Sequence, residues 1–430
     1  MDKRRKIIRI ILFLLFMLLF IVSANAADWP RWRGPNGDGI STETEWDPEA
    51  LAKGPKILWK TNVGFGMSNV SIQGKYLYTL GSDLKNDTVF CLDAETGKEI
   101  WKYSYKYASA GLGQLGGYSP QATPTVDGDS VYSLSQAGHL CCLDARKGKV
   151  RWYKHLVEDY KVVRPFYGFA GSPVVEGDLL LINGNSYGIA LEKKTGKPVW
   201  FSPPVDYREK GMNSTGSEYS TPIVYTLNSK RYAAMLSGYG LYSADVATGK
   251  TIWFYEWTPA DKVADPIFLD KSVFISTAEE SEQRSAECVL LDVSAGTPKV
   301  LWRNKEMLNH INTSVLIDGY LYGCHGIGGG GSGTLRCMDF KSGSIKWEMD
   351  LGRRRPVCVG AAGDKLILLS DRGMLHIAEA SPKAYKEISS AQLFDLKNLQ
   401  FKCWTSPVLC GGRIYCRNSI GDIVCVDVKK

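Results

Sequence analysis

The chain has 430 residues, 44% of them hydrophobic and 23% charged, with a net charge of +7. That length accommodates two or three ordinary domains or one large repetitive one. Lys3, Arg4, Arg5, Lys6 and Arg9 set against Asp2 carry +4 of the charge, and the remaining +3 is spread among residues of both signs. Such a balance argues against a nucleic-acid partner.

The first element reads as a leader. "MDKRRKIIR" is basic, Ile10 to Val22 is apolar, and "SANAAD" offers a small-residue cleavage site. This is the layout of a signal peptide over residues 1–26, cut after Ala26. The apolar run falls short of the roughly 20 residues that span a bilayer, and no cysteine lies near the cut to carry a lipid. We therefore expect a periplasmic or extracellular protein with no membrane span after cleavage. Residues 27–53 form an N-terminal extension opening "WPRWRGPNGDG", and residues 54–430 form the domain.

Within 54–430 an acid, a glycine four residues on, and a tryptophan recur at a nearly fixed period. "CLDAETGKEIW" holds Asp93, Gly97 and Trp101, and "CLDARKGKVRW" holds Asp144, Gly148 and Trp152. Further copies end at Trp200, Trp253, Trp302 and Trp347, the copy before Trp302 ("LLDVSAGTPKVLW") being longer. Such a period marks a propeller or solenoid. Each unit reads as four short strands, as in "PVV", "LLLI", "YGIALE" and "PVWF" of the third. Pro124, Pro173, Pro222, Pro266 and Pro407 open first strands, where a missing ladder donor is tolerated at an edge. The first strands start near residues 69, 123, 172, 221, 265, 313, 358 and 406. That predicts an all-β, eight-bladed propeller of four-stranded antiparallel blades. Seven blades is the alternative, because unit seven lacks the glycine–tryptophan signature. The last unit stops after its third strand, and "KILWKTNV" (56–63), carrying Trp59, is expected to supply the fourth and close the ring.

These stretches resemble the pyrroloquinoline-quinone (PQQ)-type repeat family, whose D-x-x-T-G-x-x-x-W motif seats a tryptophan between blades. Asp93, Thr96, Gly97 and Trp101 match fully, as do Asp245, Thr248, Gly249 and Trp253, whereas the third unit has Glu192 for the acid. The resemblance covers the whole domain and implies two classes of function. Some members are PQQ- and calcium-dependent dehydrogenases of alcohols or sugars. Others, including a lipoprotein that assists outer-membrane barrel assembly, are binding scaffolds. Fold alone does not choose between them.

Adjacent cysteines can mark the dehydrogenases, where a disulfide between them covers the quinone. Cys141 and Cys142 lie in a third strand whose register matches the other units. The slot of Cys142 also holds Cys91, Cys337 and Cys425. Neighbouring strand residues point to opposite faces, so two packed thiols are expected rather than a disulfide. Eleven cysteines leave at least one unpaired; Cys410 with Cys416, and Cys324 with Cys337, are candidate local pairs. The five histidines show no metal-ligand spacing. "DGD" (127–129) reads as a hairpin turn and "NGDG" (36–39) only weakly as a calcium loop. "GIGGGGSG" (326–333) and "GRRRP" (352–356) read as loops.

One pattern points to a ligand. The residues at the mouths of the first strands are Asn69, Thr123, Ser172, Thr221, Asp265, Thr313, Cys358 and Ser406. These small side chains satisfy backbone groups at a crowded entry, or they ring a channel mouth. Under the second reading Asp265, with Tyr219, His310, Arg355 and Trp404 nearby, faces the ligand. The sequence names no catalytic, cofactor or metal residue. The expectation is a non-catalytic binding or assembly scaffold of the cell envelope, with protein or envelope partners and no cofactor. The alternative is a PQQ- and calcium-dependent dehydrogenase.

Overall fold

The computed structural model describes residues 28–106, 120–165, 167–203, 219–257, 262–278, 285–326, 332–353, 357–395 and 402–430. The chain folds as eight sheets, seven antiparallel and of four strands and one of five, in an eight-bladed β-propeller. Blade one is Ser71–Gln73, Tyr76–Ser82, Asn86–Asp93 and Glu99–Lys106, innermost strand first. Blades two to seven repeat this up-and-down order, and their inner strands begin at Thr125, Val174, Ile223, Ile267, Val315 and Val357. The five prolines named above each stand just before an inner strand.

Blade eight joins the chain ends. Its inner three strands are Val408–Leu409, Arg413–Arg417 and Asp422–Asp427. Its fourth is Ile57–Asn62, with Trp59 opposite Cys425. Unit seven is a true blade despite its missing signature, formed by Val357–Ala362, Lys365–Ser370, Met374–Glu379 and Glu387–Gln392. It also gains a strand no repeat announced: Ile40–Ser41 pairs parallel to its inner edge, Ile40 opposite Ala361.

The repeated motif has a common geometry. Asp93 Oδ1 accepts from the backbone N–H groups of Glu95 and Thr96, and Gly97 follows at φ 69°. Asp144 with Gly148 and Asp245 with Gly249 repeat it. A Cβ on Gly148 would lie 2.6 Å from the Trp101 ring of the preceding blade, and one on Gly97 equally close to Trp59. Only a left-handed glycine turn lets the indole pack that closely. The indole N–H groups then bond carbonyls one blade on, Trp59 to Ala94, Trp101 to Ala145, Trp152 to Lys193 and Trp200 to Val246. Trp302 and Trp347 reach Phe340 and Ser381 in the same way. Trp253 is the exception. The longer turn of blade five leaves Gly296 with nothing in reach, so Trp253 donates within its own blade to the Tyr225 hydroxyl.

Between these tryptophans the blades bury continuous apolar clusters. Cys142 packs with Leu134 and Leu180 between blades two and three, while Cys141 packs with Leu80 and Val89 between blades one and two. The adjacent thiols thus face different cores, as an unbroken strand requires. All eleven cysteines are buried free thiols. The candidate pairs fail on direction: Cys416 and Cys410 belong to different clusters, and Cys324 stands opposite Leu335 rather than Cys337.

Candidate functional site

The inner strands all start at one end of the central channel, here called upper; the first hairpin turn and the acid–glycine turn of each blade lie at the lower end. The upper end is bound by a circumferential chain of hydrogen bonds. The N–H of Asn69 donates to Thr123 Oγ1 (3.1 Å), Thr123 N–H to Ser172 Oγ (2.9 Å), and Ser172 N–H to Thr221 Oγ1 (3.1 Å). Thr221 N–H continues to Asp265 Oδ1 (2.7 Å) and Asp265 N–H to Thr313 Oγ1 (2.9 Å). Blades one to five thus each borrow one short side chain from the next. In blade seven a cysteine holds the position, and Cys358 Sγ turns to Asn312 Oδ1 (3.0 Å). Most of the polar ring is therefore inter-blade backbone satisfaction, as a crowded strand entry demands.

Asp265 differs from its hydroxyl counterparts in carrying a charge, and it is 4% exposed. Burial pushes its carboxyl pKa up, offset chiefly by the guanidinium of Arg33. That cation arrives from the N-terminal extension, which the sequence left without a role. Trp29 bridges to Ile72 of blade one, and the Pro30 carbonyl accepts from Val126 N–H of blade two. Arg33 then donates to the carbonyls of Thr313 (3.1 Å) and Ser314 (2.9 Å) in blade six. Its Nε lies 4.0 Å from Asp265 Oδ2, which also accepts from Trp32 Nε1 at 2.7 Å. Blades two and six stand across the ring from each other, so this segment crosses the channel. Beyond Gly39 it runs beside blade seven and reaches blade eight, where Glu43 caps the N–H groups of Gly411 and Gly412. In "NGDG", Asp38 Oδ1 accepts from Ile40 N–H, and the Asp38 carbonyl accepts from Arg33. This is turn chemistry rather than a calcium loop.

Above the crossing lies a cavity of about 420 Å³ with Trp32 in its wall. Tyr219, Asp265, His310 and Trp404 all line it, so four of the five side chains singled out in the sequence share one site; Arg355 lies outside the described residues. Trp32, Tyr167 and Gln136 also line it and were not foreseen. Tyr167 and Tyr219 pack at 5.7 Å between centroids, with the Tyr219 hydroxyl accepting from Tyr167 N–H (3.1 Å). Gln136 is 3% exposed and donates to the Tyr167 carbonyl at 2.5 Å. Its Oε1 is buried without a partner.

The described residues do not fit a quinone–calcium centre. Calcium takes six to eight oxygen ligands. Asp265 is the single carboxylate among the described lining residues, and both of its oxygens already accept hydrogen bonds. Among the described residues no cluster of three or more His, Cys, Asp and Glu side chains is placed to hold a metal. Cys141 and Cys142 cannot cap a ring in the cavity from two separate cores. Burial pushes their thiol pKa values up to about 12 and about 11, which leaves them as neutral packing groups.

The fold and the repeat define a PQQ-type repeat propeller. The family model described as outer membrane protein assembly factor BamB matches residues 50–200 and 85–349, and the chain belongs to that family. BamB of Yersinia pestis is 22% identical over 372 residues, covering 83% of this chain and 75% of that protein. The quinohemoprotein alcohol dehydrogenase ADH IIB of Pseudomonas putida is 31% identical over 119 residues, 26% of this chain but 17% of the dehydrogenase. The crystal structure of the quinohemoprotein alcohol dehydrogenase of Comamonas testosteroni superposes with a TM-score of 0.71 at 14% identity, over 94% of this chain and 81% of that one. Likeness at that identity speaks for the fold alone. No helix among the described residues is long and apolar enough to cross a membrane.

Proposed function

We propose that the protein is an exported binding or assembly scaffold of the cell envelope that acts through its surfaces and performs no turnover. The observation that carries this reading is the channel crossing: Trp32 and Arg33 occupy the one carboxylate of the described cavity wall. A carboxylate held this way is positioned to brace the ring rather than to take a proton from a substrate. Kinship with BamB over most of the chain supports protein partners in the envelope. The half-buried Trp32 in the cavity wall favours a second reading, quinone-dependent oxidation, because an indole face can support a planar ring.

The test is a titration of residues 27–430 with PQQ and Ca²⁺, followed by tryptophan fluorescence and by a dye-coupled assay on alcohols and sugars. The scaffold reading expects neither saturable quinone binding nor dye reduction. Saturable binding with turnover would overturn it.

A further inference from the structure

A second cavity, of about 780 Å³, opens at the lower end. The first hairpin turns of blades eight, one and two and the acid–glycine turns of blades one and two enclose it, with Asp28 of the extension in the wall. The three acids of its lining are engaged. Asp28 Oδ1 accepts from Gly74 N–H (2.8 Å), Glu95 Oε1 from Arg413 Nη2 (2.9 Å), and Asp129 Oδ1 from Arg151 Nη1 (2.8 Å). Of the three cations, Arg413 is taken up by Glu95 and by the Gly411 carbonyl (3.2 Å). Lys75 and Arg146 are exposed in the wall, and neither forms an ion pair among the described residues. The Lys75 ammonium lies 5.5 Å from the centre of the Tyr76 ring. The unengaged charges of the lining are therefore both positive, and they stand on neighbouring blades. The same region shows which anions its donors take. The N–H groups of Gly411 and Gly412 hold the carboxylate of Glu43, and Arg413 holds that of Glu95.

We propose that this lower cavity seats an acidic segment of a partner protein, whose carboxylates meet Lys75 of blade one and Arg146 of blade two. A charge-assisted hydrogen bond to a carboxylate is about twice as strong as a neutral one, and a ligand that meets both cations bridges the seam between the blades. Arginine and tyrosine are residue types that anchor protein contacts, and the half-buried Tyr76 lies beside the two cations in the wall. Exposed cations with no partner of their own also steer an acidic chain toward the cavity. The proposal rests on the scaffold reading and gives the partner a chemistry.

The test titrates residues 27–430 into a fluorescein-labelled peptide of alternating Glu and Gly, read by fluorescence anisotropy at about 50 mM salt, where screening is weak. Its Gln–Gly counterpart is the neutral control, and unlabelled citrate is the small-acid competitor. Saturable binding of the acidic peptide is expected, weakened about tenfold or more by the double variant Lys75→Gln with Arg146→Gln. A second double variant, Lys271→Gln with Lys299→Gln, removes the same charge from exposed turns of blade five, outside the cavity. It should leave the affinity within about twofold. All four side chains are exposed, and thermal melts show that both variants are folded. Four results would overturn the proposal. They are no saturation up to about 1 mM protein, equal loss in the two double variants, equal binding of the Gln–Gly peptide, or tighter binding of citrate than of the peptide. Failure here removes the cavity as the partner's seat and leaves the scaffold reading to the quinone titration, which has its own readout.

Discussion

The two ends of the channel are built from the same repeat and solve different problems. At the lower end the turns at Gly97, Gly148, Gly196, Gly249 and Gly343 are each used twice, as an acid–glycine loop within the blade and as the surface on which the neighbouring tryptophan lies. At the upper end one short side chain carries each contact from blade one to blade six, and among those five acceptors Asp265 alone is not a hydroxyl. The lower end tolerates little variation because backbone conformation and ring packing are locked together there. The upper end admits a carboxylate, a cysteine or an asparagine, and it is where the molecule becomes particular.

The sharpest way to break this comparison is through Arg33. Arg33→Ala leaves Asp265 buried with its charge unmatched, a change that costs about 3–5 kcal/mol. Urea denaturation should show that loss, and the double variant Arg33→Ala with Asp265→Asn should recover part of it. Strict additivity would mean that the pair is not coupled. Next in size is a lower-end contrast within blade two. Gly148 and Gly128 have φ of 66° and 60°, but only Gly148 meets a tryptophan. Gly148→Ala should cost about 2–4 kcal/mol, from left-handed strain plus displacement of Trp101. Gly128→Ala carries the strain alone, about 1–2 kcal/mol. Equal losses would remove the tryptophan from the account.

A third contrast separates the ends by pH. At the upper end burial holds His139 and His325 at about 4, below the ordinary 6.5. The unfolded chain takes up these protons first, so the stability they support is complete above pH 6.5 and falls as pH drops toward 4. At the lower end the Arg151 hydrogen bonds hold Asp129 at about 2 and Asp144 below the usual carboxylate range. Their contribution is complete above the ordinary carboxylate pKa and is lost only in stronger acid. Melting temperatures across this range should therefore decline in two windows. His139→Gln and His325→Gln should flatten the first and leave the second, and an unchanged slope would remove the histidines from it.

The lower end was legible in the sequence because its physics repeats. Asp93, Gly97 and Trp101 recur, and each copy tests the others, down to the longer turn before Trp302 that singles out Trp253. The incomplete last unit gave away the closing strand for the same reason. Trp32 and Arg33 were not legible. They occur once, in a segment with no strand pattern, and they act on residues more than 200 positions away. One signal was available: Asp265 breaks a row of hydroxyls, and a buried acid needs a cation. Gln136 was missed because it sits beyond the end of a second strand, at no repeated slot, and only folding sets it beside Tyr167.

The shared eighth blade has a consequence in time. Its outer strand, Ile57–Asn62, is made early, whereas the three strands it must join end at Asp427. Contacts between neighbours within blades one to seven can form as soon as each segment exists, but the pairing of Trp59 with Cys425 closes a loop spanning almost the whole domain. Such long closures come last and most slowly. The molecule stays an open arc until the strand Asp422–Asp427 has been made and can pair.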